Sequence, residues 1–293
     1  MFVGYLPQSN MVFESHKNLS QYLNNHRDTN KSIGFVPTMG ALHQGHLALM
    51  KKALEDNDFL VVSIFVNPTQ FNNPEDLKKY PRLLEADLKL MESQLDSSNF
   101  ITYAPAVEDV YGKIAVSKSY HFDGLEDVME GSQRPGHFDG VGTILQFLFE
   151  VVQPDRAYFG EKDFQQLQII KKLKEKLQLP IEIIGYPIHR EESGLAMSSR
   201  NARLSPEGFI KAAQIYQVLK EAPGYFSKHS IKETIAFVSK KISQLSGFEL
   251  EYFTIADEKT LSPATIKDSS KNYRAFIVVH LEGVRLIDNI PLN

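Results

Sequence analysis

With 293 residues, 42% of them hydrophobic and 23% charged, the chain is long enough for one large domain and a smaller one, and too apolar for disorder along most of its length. Its 32 basic and 36 acidic residues leave a formal charge of −4, so no general attraction to nucleic acid or to an anionic membrane is expected, and small ligands are the expected partners. Disulfides, thiolate nucleophiles and cysteine-ligated metals are excluded because there is no cysteine, and no stretch approaches the ~20 apolar residues that span a bilayer, which makes a cytoplasmic location the simple reading.

In chain order, a helix is expected over residues 15–26. Residues 32–36 read as a short buried strand, residues 37–40 as its break, and Leu47, Met50 and Leu54 recur at helical spacing. With that helix starting near Gly45, His43 and His46 stand at its amino end, where unpaired N–H groups and the helix dipole favour an anion. Two imidazoles in one turn can donate to phosphoryl oxygens, while Gly45 lets a nucleotide approach the backbone. The plain alternative is two incidental surface histidines; a zinc pair lacks a third ligand nearby.

Residues 60–66 form a second buried strand. Strand, helix and apolar strand in that order argue for a right-handed crossover in a parallel sheet, with ligands at the strands' carboxyl ends. The loop over 67–74 starts at such an end and is a natural substrate wall. A helix over 82–95 and a strand over 100–103 follow; residues 106–131 give no clear element. Residues 133–139 read as a loop in which Asp139 can cap a helix running to about 152. A strand at 156–159, the loop Gly160-Glu161-Lys162-Asp163, a helix over 164–177 and a strand at 181–184 bring the sheet to about five members. Lys162 is either a surface ion-pair member or, after a strand's carboxyl end, a cation for a leaving pyrophosphate.

The polar loop over 190–201 gathers Ser198, Ser199 and Arg200, which can wrap an oligophosphate or can simply be solvated. No P-loop is present to do that task. The domain boundary is placed near Pro187, giving a domain over 1–186 and another over 187–293. In the second, helices over 206–220 and 231–245 precede strands over 249–256 and 273–281, an α+β arrangement, with 259–271 as a surface loop.

Five motifs occur in one order: Met39-Gly40-Ala41-Leu42-His43-Gln44-Gly45-His46, Phe65-Val66-Asn67-Pro68-Thr69-Gln70-Phe71, Arg134-Pro135-Gly136-His137-Phe138, Gly160-Glu161-Lys162-Asp163 with Gln166, and Met197-Ser198-Ser199-Arg200-Asn201. On these the chain resembles the pantoate–beta-alanine ligase family over roughly residues 30 to 205. The resemblance implies a Rossmann-like α/β nucleotidyltransferase domain with a parallel sheet, a smaller α+β carboxyl domain acting as a lid, a homodimer, and magnesium accompanying ATP. It implies that pantoate attacks the α-phosphorus of ATP, giving pantoyl adenylate and pyrophosphate, and that the amine of beta-alanine then displaces AMP.

Carried over residue by residue, the resemblance puts His43 and His46 on the phosphates, with His46 as proton donor. Lys162, Ser198, Ser199 and Arg200 match phosphate-binding positions, and His189 and Met197 stand beside the nucleotide. Gln70 and Gln166 match residues that hold pantoate, with Asn67 and Tyr80 completing that wall. Asp87 matches a magnesium position, a solvated helix carboxylate being the alternative. Two departures stand out. Gln44 replaces a common glutamate, and His189-Arg190-Glu191-Glu192-Ser193-Gly194 replaces the usual Val-Arg-Glu-x-Asp-Gly, setting His189 where a small apolar residue meets adenine. A nucleotidylyltransferase that leaves AMP on a phosphorylated acceptor, and a non-catalytic adenylate-binding protein, are the competing readings.

Overall fold

The computed structural model describes residues 11–27 and 30–293. They fall into two compact units. One holds the chain up to Phe122 together with Gly131–Phe159 and Ile169–Tyr186; the other holds Asp123–Glu130, Gly160–Gln168 and Pro187–Asn293.

Up to Tyr186 the elements are β1 (Val12–Phe13), α1 (His16–Arg27), β2 (Ile33–Thr38), α2 (Gln44–Asp56), β3 (Phe59–Ile64), α3 (Pro74–Lys79) and α4 (Leu84–Glu92). There follow β4 (Phe100–Tyr103), α5 (Val107–Tyr111), α6 (Met129–Gln133), α7 (His137–Val152), β5 (Arg156–Gly160), α8 (Phe164–Lys176) and β6 (Glu182–Tyr186). The strands make one six-stranded sheet in the order β1-β4-β3-β2-β5-β6, and the pairs β1–β4, β4–β3, β3–β2 and β2–β5 are parallel. From β2 the chain builds outward through β3 and β4, then returns to the other side of β2 for β5. This reversal between β2 and β5 is the switch point at which open α/β sheets bind ligands.

Why β2 outlasts Pro37, where a break was expected, follows from its hydrogen-bond directions. Ile33 O accepts from Asp155 N on the β5 side, and Thr38 O from Phe65 N on the β3 side. Pro37 therefore turns its missing N–H toward β5, past the last β2–β5 pair, Phe35 with Ala157, where no partner is lost. The sixth strand, β1, has two residues, too few for an apolar alternation to register. Asp139 does not cap α7. Gly136 does so in a left-handed conformation (φ 77°), and Asp139 instead accepts from Tyr120 N at 2.9 Å.

The second unit contains α9 (Pro206–Ala212), α10 (Gln214–Leu219), α11 (Ala222–Phe226), α12 (Ile231–Ser243), β7 (Phe248–Asp257), β8 (Tyr273–Leu281) and β9 (Val284–Pro291). The helix expected over 206–220 is two helices. The three strands form an antiparallel sheet in sequence order. Ile231, Val238 and Ile242 of α12 belong to one apolar core with Ile255, Ile277 and Val279 of the sheet. Strand β9 was not expected from the sequence: Asp288-Asn289 in its middle has the composition of a turn. Both are nonetheless buried, at 5% and 2% exposure.

In the first unit, α7 packs tightly on the turn after β3. A Cβ added at Gly140 would stand 2.4 Å from Thr69 O and 2.7 Å from Gln70 N, backbone atoms that cannot yield cheaply. Gly140→Ala is therefore expected to lose about 1–3 kcal/mol of stability, read as a lower urea midpoint.

Candidate functional site

In the first unit the loop from Met39 to His43 leaves the carboxyl end of β2. Thr38 Oγ1 donates to Ser63 O at 2.8 Å and accepts from Gly40 N at 3.1 Å. Gly40 and Ala41 both take positive φ, 77° and 51°. Glycine tolerates that region; alanine does so at a cost of about 1–2 kcal/mol. What holds the pair is Asp87, on α4: Oδ2 accepts from Ala41 N at 2.9 Å and Oδ1 from Leu42 N at 2.7 Å. Asp87 is 3% exposed, so the solvated reading of this carboxylate is corrected. Burial pushes its carboxyl above the ordinary value, and the Leu42 and Ala41 N–H groups oppose the shift. The raised value makes Asp87's contribution to global stability greatest in acid, fading as pH rises through the folded value, whereas its bonds to both N–H groups are strongest with the anion.

The loop delivers His43 to the N-cap of α2, with His46 at the third helical position. Gly45 N donates to His43 Nδ1 and His43 N to His46 Nδ1, each at 3.2 Å, which makes a reciprocal capping box of two imidazoles. A backbone N–H can only donate, so both Nδ1 atoms are unprotonated and both rings carry their proton on Nε2. The ring centroids are 4.1 Å apart. Two neutral Nε2–H donors and the positive end of a helix thus occupy one turn. Gln44 is exposed and Gly45 buried, and the capping box is made by His43 and His46.

Gln70 lies in the short Pro68–Gln70 turn, 8% exposed. Its Oε1 accepts from Asn67 Nδ2 at 3.1 Å and its Nε2 meets Met39 Sδ at 2.8 Å. Asn67 also donates to Gly140 O, and its Oδ1 accepts from Thr69 and from Tyr111 OH. Its hydrogen bonds are thus made within the protein, and it acts on Gln70 rather than standing beside it. Tyr80 follows α3 and packs edge-on against Phe71. The sequence reading did not foresee the use made of Arg134 and His137. Arg134 Nη2 and His137 Nδ1 both reach Gln70 O, at 3.2 and 2.8 Å; only their place in the Arg-Pro-Gly-His-Phe motif pointed to them.

In the second unit, Gly160–Asp163 makes a turn into α8, with Lys162 Nζ 3.4 Å from Asp163. Gln166 is half-buried on the first turn of α8; its neighbour Gln165 is 4% exposed and holds Leu125 O, Val128 O and Glu130 N. Ser198 caps the turn Ser199–Arg203, its Oγ accepting from Arg200 N at 3.2 Å. Lys162, Ser198 and Arg200 line one small cleft of this unit, and Ser199 is half-buried next to them in sequence. His189 is exposed and its carbonyl accepts from Met197 N at 3.0 Å.

A family model described as pantoate-beta-alanine ligase matches residues 11–291. The chain is 55% identical over 282 residues to the pantothenate synthetase of Flavobacterium psychrophilum, covering 96% of this chain and 99% of that one. Among solved structures, pantothenate synthetase from Thermus thermophilus superposes with a TM-score of 0.87 at 37% identity, covering 96% and 99% of the two chains. The Francisella tularensis pantoate-beta-alanine ligase, solved in complex with beta-gamma ATP and beta-alanine, gives 0.78 at 33% identity over 97% and 98%.

Asp87→Asn keeps one acceptor but sets an amide NH2 against the second backbone donor. It removes a charge-assisted bond of about 1.5–3 kcal/mol. ATP affinity measured by calorimetry is expected to fall by roughly 10- to 100-fold, with the circular dichroism spectrum unchanged.

Proposed function

Because the chain belongs to the pantoate–beta-alanine ligase family, we propose that the two imidazoles at the start of α2 adenylate an acid. The enzyme is an ATP-dependent ligase that condenses pantoate with beta-alanine to pantothenate. A pantoate carboxylate oxygen attacks the α-phosphorus, the bond to the β-phosphate oxygen breaks, and pyrophosphate leaves. The beta-alanine amine then adds to the acyl carbon of pantoyl adenylate, AMP departs with the carboxylate oxygen, and the amine loses a proton to give the amide.

One observation carries this reading: backbone donors occupy both Nδ1 atoms, so His43 and His46 present Nε2–H as fixed, neutral donors beside a helix amino end. Donors that need not reorganise as charge builds on phosphoryl oxygens stabilise the transition state more than the ground state. His46 matches the family's proton-donor position; as a neutral ring it keeps its Nε2 proton and acts by hydrogen bonding to the charge that develops. Lys162, Ser198, Ser199 and Arg200 neutralise and hold the phosphates, with Met39 to Leu42, Gly160, Glu161, Asp163, His189 and Met197 as further nucleotide contacts. Gln70 and Gln166 orient pantoate; neutral amides do so without damping the carboxylate's nucleophilicity as a tight ion pair would. Asn67 and Tyr80 support that wall.

Magnesium accompanies ATP in this scheme. Both Asp87 oxygens already accept a backbone N–H, and each retains a lone pair, which fits a secondary ligand to an ion held mainly by phosphates. The proposed division of labour gives nucleotide and pantoate to the part before Pro187 and a lid role to the part after it, with Asp123–Glu130 and Gly160–Gln168 packed into the second compact unit; the proposed working form is a cytoplasmic homodimer.

The test is pantoate-dependent ATP–pyrophosphate exchange, followed by release of AMP and pantothenate on adding beta-alanine. Absence of both would sink the proposal. His46→Ala is expected to slow exchange by about 10²- to 10³-fold, the usual effect of removing one preorganised donor, with little change in pantoate affinity. Equal turnover in that variant would remove the transition-state role of His46.

A further inference from the structure

The lysine and serine–arginine loops of the second unit are anchored by one dipeptide of β9, Asp288-Asn289. Neighbouring residues of a strand project to opposite sides, and these two use both. Asp288 takes Arg190 in a two-pronged pair, Oδ2 with Nη1 at 2.7 Å and Oδ1 with Nη2 at 2.9 Å. Arg190 Nη1 also donates to Gly194 O at 3.0 Å, and its guanidinium lies 3.8 Å from the centre of the Tyr216 ring. That guanidinium closes a small hairpin in which Glu191 N bonds Leu195 O and Met197 N bonds His189 O. The next residue is Ser198.

On the other side, Asn289 Nδ2 donates to Glu161 O at 2.9 Å and to Lys162 O at 3.0 Å, while Arg274 Nη1 donates to its Oδ1 at 2.7 Å. The amide has one workable orientation, since a flip would set its oxygen against two carbonyls. Strand β9 packs on both turns, Glu161–Asp163 and Ser199–Arg203, and Lys162, Ser198, Arg200 and Asp288 share a cleft.

We propose that Asp288 and Asn289 are positioning residues for adenylation, setting the separation between Lys162 and the Ser198–Arg200 turn so that both meet one polyphosphate. This rests on the function proposed above. Buried polar pairs are a poor source of stability compared with apolar side chains of the same size, so a need for geometry explains their place in a strand better than a need for stability.

Asn289→Asp isolates the point, because it keeps the volume and the acceptor for Arg274 and deletes both donors. In pantoate-dependent exchange, kcat/KM for ATP is expected to fall at least about 30-fold, with pantoate KM within about threefold. In a Lys162→Ala background the same change is expected to cost no more than about threefold, because Asn289 acts through Lys162. A loss of stability alone leaves the kinetic constants of the folded protein unchanged and the two backgrounds alike. Should Asn289→Asp fail to fold, Asn289→Ser, which retains one donor, goes through the same cycle. Wild-type kinetics in the folded variant, or the full loss in the Lys162→Ala background, overturns the proposal. Failure of the functional reading appears instead in the unaltered enzyme, as absent exchange.

Discussion

The bond on which the first unit's site depends is the grip of a buried carboxylate on a loop. Gly40 and Ala41 both hold positive φ, and nothing local rewards Ala41 for doing so. Asp87 supplies the reward from a distant point in the sequence, taking the Ala41 and Leu42 N–H groups on its two oxygens. Those donors would otherwise be stranded beneath the loop, and the carboxylate would be stranded without them. Each side satisfies the other. A Cβ at residue 40 would stand 2.9 Å from Asp87 Oδ2, so glycine there serves the close approach as well as the dihedral. The direction in which the chain enters α2 follows, and with it the orientation of both histidines.

Capping usually relies on serine, threonine or a carboxylate. A capping carboxylate has no proton to give and a capping hydroxyl gives one from the same atom that accepts, whereas an imidazole that accepts through Nδ1 carries its N–H on a second atom, at the far edge of the ring. The bonds that secure the helix start also fix the tautomer of the groups read as catalytic. A serine at position 43 would cap equally well but keep its one proton on the capping oxygen, close to the backbone, which separates the helical requirement from the reach of the donor at a single residue.

Much of this was legible in the sequence. Strand β4 and the βαβ unit carrying the histidines were readable because an apolar run followed by a 3.6-residue period has few other interpretations. The histidine motif and the Gly160–Asp163 and Met197–Asn201 loops were readable as motifs. Partners remote in sequence were not. Asp87 is 46 residues from Ala41, and Arg134 is 64 from the Gln70 carbonyl it holds; no periodicity encodes such a pairing. Pro37 misleads because its cost depends on which neighbouring strand its nitrogen faces, and that is a property of the sheet. Asp288-Asn289 concealed β9 because burial of polar residues becomes visible only when their partners are known.

The two units solve one problem by opposite means. A residue that handles phosphate must be held still, yet it cannot spend its own functional atoms on being held. In the first unit one nitrogen of each histidine accepts from the backbone, and the proposed function gives the other to the ligand. A lysine has one polar side-chain group and cannot divide it; Asn289 holds Lys162 by its main-chain carbonyl, while its ammonium stands 3.4 Å from Asp163 and the residue lines the cleft. Arg200 and the serines lie between these cases: the Ser198 hydroxyl accepts from Arg200 N and still has a proton to give. How each side chain is anchored thus follows from how many polar atoms it has. The residue with fewest needs the most support from elsewhere, which accounts for a fully hydrogen-bonded asparagine buried in a strand beside it.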